Sequence, residues 1–301
     1  MKRQPRVAIL TVTTNAATHL PAYLAALAGI TYSNHEVWVV DNASHDGSAE
    51  LVEAAAPGAT VLRNDRNLGF TGACNRALRC LRDRTDVDYV LFLNDDTEVH
   101  PGFLEPLVEL AGPRTLVAPK TFLAGQPGIL DDSVGAFDWW RGTWKHRVLG
   151  RREGASESYA HAVQTANLSC LLVPRCAFCE VGLLDDAFFV YYDDTDFCRR
   201  AHQAGYRILF QPASVVEHRK GATLGGQQSA FGCYYLARNR PYLVRKHAGR
   251  GPRFWLFMAY FATTRIARMA LWAKSGRSDL ARATLLGLRD FARGRMGPRR
   301  T

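Results

Sequence analysis

The sequence lacks any long, uninterrupted apolar segment. Its 301 residues contain no window of about 18 uncharged apolar residues, so we expect no transmembrane helix. The opening residues, MKRQPRVAIL, lack the apolar core of a secretory signal, so we also expect no signal peptide and a cytoplasmic location. Internal repeats and low-complexity segments are absent from the sequence as well.

Cysteine is present, but not in the pattern of a disulfide framework. The seven cysteines are an odd number at irregular spacing, which is typical of a protein in a reducing cytosol. Cys176 and Cys179 form a C-x-x-C pair, but a zinc site needs a second pair of ligands at similar spacing, and none is obvious. We therefore interpret the cysteines as buried structural thiols.

Acidic residues are scarce in the C-terminal part of the chain. Residues 219–301 contain 18 lysines and arginines but only two acids, a net charge of +16, whereas residues 1–218 have a net charge of −6. Opposite charges in two parts of one chain predict two tasks. The acidic part could hold a metal ion, and the basic part could face an anionic partner, either nucleic acid or a membrane surface.

Residues 254–273, FWLFMAYFATTRIARMALWA, are largely apolar but include Arg265 and Arg268. A basic amphipathic helix with aromatic residues is typical of binding to a membrane surface, and Trp255 and Trp272 would suit its interface. The alternative is that these helices pack on the rest of the chain or on a second copy, as a homodimer. No nucleic-acid recognition motif is visible, so we expect no nucleic-acid partner.

Short apolar runs alternate with helical segments in the first 93 residues. We predict strands at residues 7–13, 36–41, 60–63 and 89–93, with helices at 18–28, 46–56 and 69–83. This alternation predicts an α/β fold, with a mostly parallel central sheet and helices on both faces. Residues 120–165 are irregular, and we predict loops with a hairpin there. Further strands are predicted at 169–173, 207–211 and 214–217, and helices at 177–182 and 194–203.

Polar residues follow three of the predicted strands, at the sheet edge where α/β proteins bind ligands. They are Thr13, Thr14, Asn15, Asp41, Asn42, Asn94, Asp95 and Asp96. Any one of them could simply cap the next helix or turn. Adjacent carboxylates repel each other unless a cation lies between them, and oxygen ligands suit Mg²⁺ or Mn²⁺. Asp95 and Asp96 therefore predict a metal site and a phosphate-bearing substrate.

A second acidic cluster, Asp193, Asp194 and Asp196, follows the apolar and aromatic stretch FFVYY. Acids in the first turn of a helix are favoured by its macrodipole, which explains one or two of them. A carboxylate in apolar surroundings can also have a raised pKa and act as a general base. His218 ends a predicted strand, and by itself it would be interpreted as a structural or surface residue.

Six segments, in this order, resemble family 2 glycosyltransferases with a GT-A fold, and more narrowly the bacterial rhamnosyltransferase-like branch. They are VAILTVTTNA, VWVVDNASHDGS, RNLGFTGACNRAL, YVLFLNDDT, FFVYYDDTDFCRRAHQAGYRI and EHRKGAT. The resemblance covers about residues 7–223 and continues loosely through RNRPYLVRKHAG. It implies a GT-A catalytic domain at 1–225, with a nucleotide-sugar half at about 1–120 and an acceptor half at about 121–225. A basic helical extension at 226–301 follows.

The resemblance also implies roles for individual residues on the donor side. Asp41 would bind the base of a nucleoside diphosphate, and Asp96 and His218 would be metal ligands. Asn94 stands where the family often has an acid, which leaves open whether Asn94 or Asp95 makes the second contact. The other residues placed at the nucleotide sugar by the resemblance are Thr13, Asn15, Asn67, Gly69, Gly72, Asn75 and Asp95.

On the acceptor side, the resemblance places the general base in DDTD, where we favour Asp194, then Asp193, with Asp196 in an orienting role. Trp139, Trp140 and Trp144 could stack on an acceptor sugar or could simply pack.

The implied reaction is an inverting, metal-dependent sugar transfer. The donor would be a dTDP- or UDP-sugar, and the acceptor a saccharide or polyprenyl-linked saccharide in cell-envelope polysaccharide synthesis. The alternatives are an aspartate-dependent phosphohydrolase or phosphotransferase, and an inactive nucleotide-sugar-binding protein.

Overall fold

A computed structural model describes residues 3–145, 149–219 and 228–299. The strands are β1 (Val7–Thr13), β2 (His35–Asp41), β3 (Thr60–Arg63), β4 (Tyr89–Leu93), β5 (Thr97–Val99), β6 (Thr115–Leu123), β7 (Val134–Asp138), β8 (Thr143–Lys145), β9 (His161–Val163), β10 (Thr165–Ala166), β11 (Cys170–Pro174) and β12 (Arg207–His218). The helices are α1 (Leu20–Ala28), α2 (Ser48–Ala55), α3 (Gly69–Leu81), α4 (Leu104–Leu110), α5 (Ala177–Glu180), α6 (Asp193–Gln203), α7 (Ala230–Ala248), α8 (Pro252–Lys274) and α9 (Ser278–Ala292).

The central sheet has nine strands in the order β3-β2-β1-β4-β11-β6-β12-β5, with β9 also paired to β12. Strands β1 to β4 are mutually parallel, and β6 and β12 run in the same direction. Among the described strands of this sheet, β5, β9 and β11 run the opposite way. The prediction of a mostly parallel α/β sheet is therefore confirmed.

Helices cover both faces of this sheet because its central strands are apolar on both sides. Phe92 of β4 lies in a core with α3 and α6, whereas its neighbour Leu91 lies in a second core with α1 and α4. Alternate residues of one strand point to opposite faces, so one apolar run fills both cores. The rigid strands then hold whatever follows them in fixed positions.

Three elements between residues 97 and 123 were missed by the sequence analysis, which predicted no structure for β5, α4 or β6. Strand β6 includes Pro119 and Lys120, and it pairs with β11 on one side and β12 on the other. The predicted strands at 207–211 and 214–217 are one strand, β12, with a register shift between Gln211 and Val215. The hairpin predicted within 120–165 is present as β7 and β8.

The interpretation of all cysteines as buried is wrong for some of them. Cys80 and Cys179 are exposed and Cys176 is partly exposed, while Cys74, Cys170, Cys198 and Cys233 are buried, and all seven are free thiols. The C-x-x-C pair lies at the start of α5, where Cys176 Sγ donates to the carbonyl oxygen of Pro113 at 3.5 Å.

The C-terminal segment forms three helices, α7, α8 and α9, as the basic extension predicts. In the described parts of the chain, no helix combines the length and hydrophobicity needed to cross a membrane. The proposed boundary at 225/226 and the end of the EHRKGAT segment, residues 220–223, lie outside the described residues. Helix α7 is anchored on the segment that precedes α6, since Tyr242 Oη donates to Asp185 Oδ2 at 2.9 Å.

Candidate active site

The polar residues after β1 and β2 lie side by side at one edge of the sheet. Thr13 and Asp41 are register partners in the parallel pair β1–β2. Both side chains are buried, and Thr13 Oγ1 and Asp41 Oδ1 have no hydrogen-bond partner within the described structure. Buried polar atoms are nearly always paired in folded proteins, so these two atoms mark a place where a ligand would supply the missing contacts.

The two adjacent carboxylates follow β4 at the same edge. Asp95 is buried, its Oδ2 lacks a hydrogen-bond partner among the described atoms, and its Oδ1 lies 3.7 Å from His19 Nε2 at the start of α1. Asp95 raises the pKa of His19, against burial, which lowers it. A buried carboxylate with an unsatisfied oxygen is costly, and a ligand or ion at this edge would offset that cost.

His218 joins this edge from the end of β12. Its Nε2 lies 3.2 Å from Asp96 Oδ1, and its Nδ1 donates to Asp131 Oδ2 at 2.8 Å. Burial lowers the pKa of His218, but the flanking carboxylates Asp131 and Asp96 outweigh it and raise the pKa to about 9. A carboxylate behind a histidine is the usual arrangement of a metal-binding imidazole, because it fixes the tautomer and the ring orientation.

These residues fit a divalent cation that is only partly coordinated by protein. Within residues 3–145, 149–219 and 228–299, no three His, Cys, Asp or Glu side chains form a group that could hold a metal ion. Magnesium, however, often takes only one or two carboxylates and completes its shell with substrate phosphates and water. Asp96, beside the unsatisfied oxygen of Asp95, supplies such a carboxylate, and His218 would add a nitrogen ligand on losing the proton that it carries next to Asp96.

Several residues predicted at the nucleotide sugar hold the framework of the site. Asn15 Oδ1 accepts from the backbone N–H of His45 at 2.9 Å, and Asn67 Oδ1 accepts from that of Gly69 at 2.8 Å. Asn75 donates to the carbonyl oxygen of Leu184 and to Asp186 Oδ1, and its own oxygen accepts from the N–H of Leu184. Asn67 and Asn75 thus fix the loops around α3, and Asn15 joins the loops that follow β1 and β2. Any contact that these amides make with a ligand is additional.

The start of α3 touches the segment that precedes α6, which we call the base loop (residues 187–192). The N–H of Thr71 donates to the carbonyl oxygen of Phe189 at 3.4 Å. A β-carbon at Gly69, whose φ is +72°, would lie 2.5 Å from the same oxygen, and one at Gly72 would lie 2.9 Å from Leu68 Cβ. Glycine at position 69 therefore allows α3 to approach the base loop closely, whereas glycine at position 72 leaves room for Leu68.

The base loop has an unusual backbone conformation. Phe189, Tyr191 and Tyr192 have φ values of 68°, 64° and 69°, in the left-handed region that bulky side chains avoid. Each such residue costs roughly 1–2 kcal/mol, and this strain is found mainly at functional sites. The loop delivers Asp193 and Asp194 to the first turn of α6, which begins directly after it.

Asp193 and Asp194 have the properties expected of a general base. Burial raises the pKa of Asp194 to about 6, although hydrogen bonds from the N–H and hydroxyl of Thr195 oppose the shift. Burial, together with the neighbouring Asp194 carboxylate, raises the pKa of Asp193 well above its usual range. Asp193 is the more enclosed of the two, so Asp194 is better placed to meet an incoming hydroxyl.

Asp196 has a different environment from its two neighbours. It is fully buried, and its carboxylate accepts from Arg200 at 2.8 Å and contacts Lys246 Nζ at 2.8 Å and His247 Nε2 at 2.9 Å. Burial alone would raise its pKa, but His247, Arg200 and Lys246 hold the pKa of Asp196 down to about 2. A permanently charged, fully paired carboxylate suits the orienting role expected for Asp196.

The three tryptophans lie in the second, three-stranded sheet or its turn. Trp144 Nε1 donates to Thr195 Oγ1 at 2.7 Å, which links β8 to α6. The Trp139 ring packs edge-on against Phe137 and His247. Trp140, in the turn between β7 and β8, is 48% exposed and is the most exposed of the three.

The sequence analysis missed several residues that complete the site, among them Asp131 and His19. A signal for Asp131 was available, because Asp131 and Asp132 are adjacent acids like Asp95 and Asp96. Both are buried, and buried carboxylates are almost always paired, as Asp131 is with His218. Arg238, Asn239, Lys246 and His247 of α7 were missed because only the folded chain brings that helix to the base loop.

Comparison with known proteins identifies the family. A family model described as "Glycosyl transferase family 2" matches residues 8–165, just over half of the chain. The chain belongs to glycosyl transferase family 2. It is therefore a glycosyltransferase, and the resemblance found in the sequence is confirmed. The matched residues contain β1 to β4 and the carboxylates that follow them.

Relatives with a named activity support the narrower branch of this glycosyltransferase. The N-acetylglucosaminyl-diphospho-decaprenol L-rhamnosyltransferase of Mycobacterium tuberculosis is 26% identical over 276 residues, covering 82% of this chain and 87% of the relative. The chain is thus rhamnosyltransferase-like over most of its length, including part of the C-terminal helices.

Solved structures confirm the GT-A-like fold. The mannosyltransferase PcManGT from Pyrobaculum calidifontis, in complex with GDP-Man and Mn²⁺, has a TM-score of 0.59 at 18% identity and covers 97% of this chain and 88% of its own. GalNAc-T7 with UDP, GalNAc and Mn²⁺ has a TM-score of 0.60 at 17% identity. That match covers 84% of this chain and 52% of GalNAc-T7, so the glycosyltransferase spans about half the length of that neighbour.

Proposed function

We propose that this glycosyltransferase is an inverting, divalent-metal-dependent enzyme that transfers rhamnose or a similar hexose from a dTDP- or UDP-sugar to an acceptor hydroxyl. The acceptor is a saccharide or polyprenyl-linked saccharide of cell-envelope polysaccharide synthesis. One observation carries the proposal: unsatisfied buried oxygens of Thr13, Asp41 and Asp95 lie at the ends of neighbouring strands. These atoms match the donors and acceptors that a nucleoside diphosphate and its cation would complete.

Donor binding is assigned to the strand ends. Asp41 would accept from a pyrimidine N–H, and Thr13 would contact the same nucleotide because it is the register partner of Asp41. A divalent cation, held by Asp96 and His218 with Asp95 beside them, would neutralise the diphosphate and make it a better leaving group. The Mn²⁺ complexes of the two structural neighbours support this assignment at the level of fold.

Proton transfer is assigned to Asp194. Its pKa of about 6 leaves it mostly ionised near neutral pH, yet basic enough to take a proton from the acceptor hydroxyl as that oxygen attacks the anomeric carbon. Attack on the face opposite the leaving group inverts the anomeric centre. Thr195 and Trp144 orient the carboxylate, since the Thr195 hydroxyl donates to Asp194 Oδ1 at 3.0 Å.

A lipid-linked acceptor requires the enzyme to work at a membrane surface, and we assign this contact to α8. Its exposed apolar residues lie on one half of the helix, away from the buried Phe254, Phe257 and Phe261; they are Trp255, Leu256, Tyr260, Ile266 and Leu271. The helix has four basic residues and no acid. An apolar face on a cationic helix matches an anionic membrane surface.

The first experiment is a thermal-shift screen of UDP-, dTDP- and GDP-sugars with and without Mn²⁺. A ligand that binds only the folded state stabilises it by about 2.7 kcal/mol at a hundredfold excess over its dissociation constant. We expect a metal-dependent shift with one pyrimidine nucleotide sugar, lost in Asp96→Ala. It should persist in Asp83→Ala, which removes an exposed carboxylate after α3. No shift with any nucleotide sugar would overturn the proposed donor.

A further inference from the structure

The base loop receives hydrogen bonds from two neighbouring side chains of α7. Asn239 Nδ2 donates to the carbonyl oxygens of Phe188, Val190 and Tyr191 at 2.9, 2.7 and 3.3 Å. The carbonyls of Phe188 and Val190 flank the left-handed Phe189, and Tyr191 is itself left-handed, so the amide bonds to the strained stretch at three positions. Asn239 itself is fully buried.

Arg238 supports the same loop from its other end. Its Nη2 donates to the carbonyl oxygens of Ala187 and Phe188 at 3.2 and 3.0 Å, and its Nη1 donates to the carbonyl oxygen of Gly297. The guanidinium also donates through Nε to Asn239 Oδ1 at 2.9 Å, which orients the amide. Thus both functional groups of the Asn239 side chain are fixed by partners.

Arg238 is buried, which is unusual for an arginine. Its side chain is completely buried, and the guanidinium lies over the rings of Tyr234 and Tyr235 at 5.5 and 4.7 Å. In the described structure it makes no ion pair with a carboxylate, so its charge is directed at main-chain oxygens. Burying a guanidinium is costly, and charge-assisted hydrogen bonds to carbonyls offset part of that cost.

The same helix also holds the first turn of α6. Two turns after Asn239, Lys246 and His247 contact Asp196 Oδ1 at 2.8 and 2.9 Å. Asp194 lies between these two anchor points, with the base loop before it and Asp196 after it. Helix α7 therefore fixes the backbone on both sides of Asp194.

We propose that Arg238 and Asn239 are positioning residues that hold the base loop in its strained conformation and thereby aim Asp194 at the acceptor hydroxyl. This inference rests on the proposed function, because it takes Asp194 as the general base. It makes α7 a part of the active site, although the sequence assigns it to the basic extension. Neither side chain needs to touch a substrate for this role.

The test is Asn239→Leu, which keeps the approximate size of the side chain and removes both N–H donors. We expect kcat to fall by about 10- to 100-fold, while the dissociation constant of the donor, measured by calorimetry, changes by less than about threefold. In this variant the Asp194 carboxylate should be less enclosed, which lowers its pKa. The acid limb of the pH profile of kcat should therefore shift to lower pH by roughly half a unit or more. A purely structural role would not move that limb.

Tyr242→Phe is the matched control. It removes a hydrogen bond between the same helix and Asp185, just before the base loop, and leaves the loop carbonyls satisfied. We expect its kcat and pH profile to match the unsubstituted enzyme. Arg238→Lys serves as a second variant if Asn239→Leu does not fold, and it should show the same loss of kcat in a milder form.

The outcomes separate the two proposals. If the unsubstituted enzyme binds a nucleotide sugar but transfers it to no acceptor hydroxyl, both the proposed function and this inference are overturned. If it turns over normally and the folded Asn239→Leu and Arg238→Lys enzymes keep its kcat and pH profile, the positioning role alone is overturned. Equal losses in kcat and donor affinity would also overturn it, since they would indicate a general loss of structure.

Discussion

Gly69, at the start of α3, lies against Phe189 of the base loop. A β-carbon at Gly69 would lie 2.5 Å from the carbonyl oxygen of Phe189 and 2.5 Å from its ring. Gly69 begins the helix beside the proposed nucleotide sugar, and Phe189 is in the strained loop that leads to Asp194. Any side chain added at position 69 must therefore displace Phe189.

A substitution of Gly69 should therefore damage both stability and turnover. Gly69→Ala adds a methyl group against Phe189 and forces alanine into the left-handed region at φ +72°. Backbone strain costs roughly 1–2 kcal/mol and the clash roughly 1–3 kcal/mol. We expect the free energy of unfolding, measured in urea, to fall by roughly 2–5 kcal/mol, and transfer to fall at least tenfold in the protein that remains folded.

Gly125→Ala separates the clash from the strain. Gly125 has a φ of +74°, but a β-carbon there would meet nothing within 4 Å. Gly125→Ala should lower the free energy of unfolding only by the backbone strain, about 1–2 kcal/mol, and should leave sugar transfer unchanged. If both alanine variants lose the same stability and keep full turnover, the contact between Gly69 and Phe189 has no functional consequence.

The decline of kcat at low pH should reflect the protonation of Asp194. Because the base must be ionised, a pKa of about 6 predicts that kcat declines as pH falls through 6 and is level above about 7. Asp194→Asn should lower kcat by about 10²–10⁴-fold and leave donor affinity intact. Steady-state kinetics from pH 5 to 9 test this, and a donor affinity that collapses together with kcat would remove Asp194 from the role.

Asp194 and Asp196 should have opposite effects on stability. The folded-state pKa of Asp194 is raised, so its ionisation destabilises the fold increasingly as pH rises from about 4 to above 6. The folded-state pKa of Asp196 is lowered to about 2, so its ionisation stabilises the fold above pH 4. This stabilisation is lost as pH falls towards 2. At pH 8, Asp194→Asn should raise the free energy of unfolding by roughly 1–2 kcal/mol, and Asp196→Asn should lower it by roughly 2–3 kcal/mol.

Each of these variants is the other's control, because both replace a carboxylate of the same helical turn by its amide. Urea unfolding at pH 8 and pH 4 measures the two effects. Stability changes of the same sign at pH 8 would contradict the environments derived for the two carboxylates. A stabilised but inactive Asp194→Asn enzyme would indicate that the site is maintained at some cost to the fold.

The parallel half of the sheet could be predicted from sequence because a short segment of the chain is enough to indicate each of its strands. Strands β2 and β4 contain the apolar runs VWVV and YVLFL, and carboxylates follow within three residues. Their type and the position of the ligand edge therefore follow from short segments. Strand β6 could not be predicted in this way. Pro119 and Lys120 interrupt its pattern, and pairing with β11 and β12 on its two sides maintains it.

The residues of the candidate site can also be divided into those that a local sequence pattern indicates and those that it does not. Asp95, Asp96 and Asp194 could be found because acids cluster directly after strong apolar segments. Asp131 could not be connected to His218, since 87 residues separate them and no local pattern indicates which distant segments pack together. The link between Asp196 and His247 spans 51 residues and depends on the packing of α7, which no local pattern indicates.

The exposed face of α8 should bind vesicles that contain anionic lipid. Trp255, Ile266 and Leu271 are 62%, 63% and 61% exposed on a helix without acids, so apolar burial and charge attraction should act together. We expect co-sedimentation with anionic vesicles at low salt, release on adding salt because surface charges are screened, and little binding to neutral vesicles.

Ile266→Glu with Leu271→Glu should abolish binding, whereas Leu51→Glu, which changes an exposed leucine on α2, should not. Failure to sediment at low salt would exclude the membrane contact, and a mass in solution twice that of one chain, lost in the double variant, would assign the face to a homodimer instead.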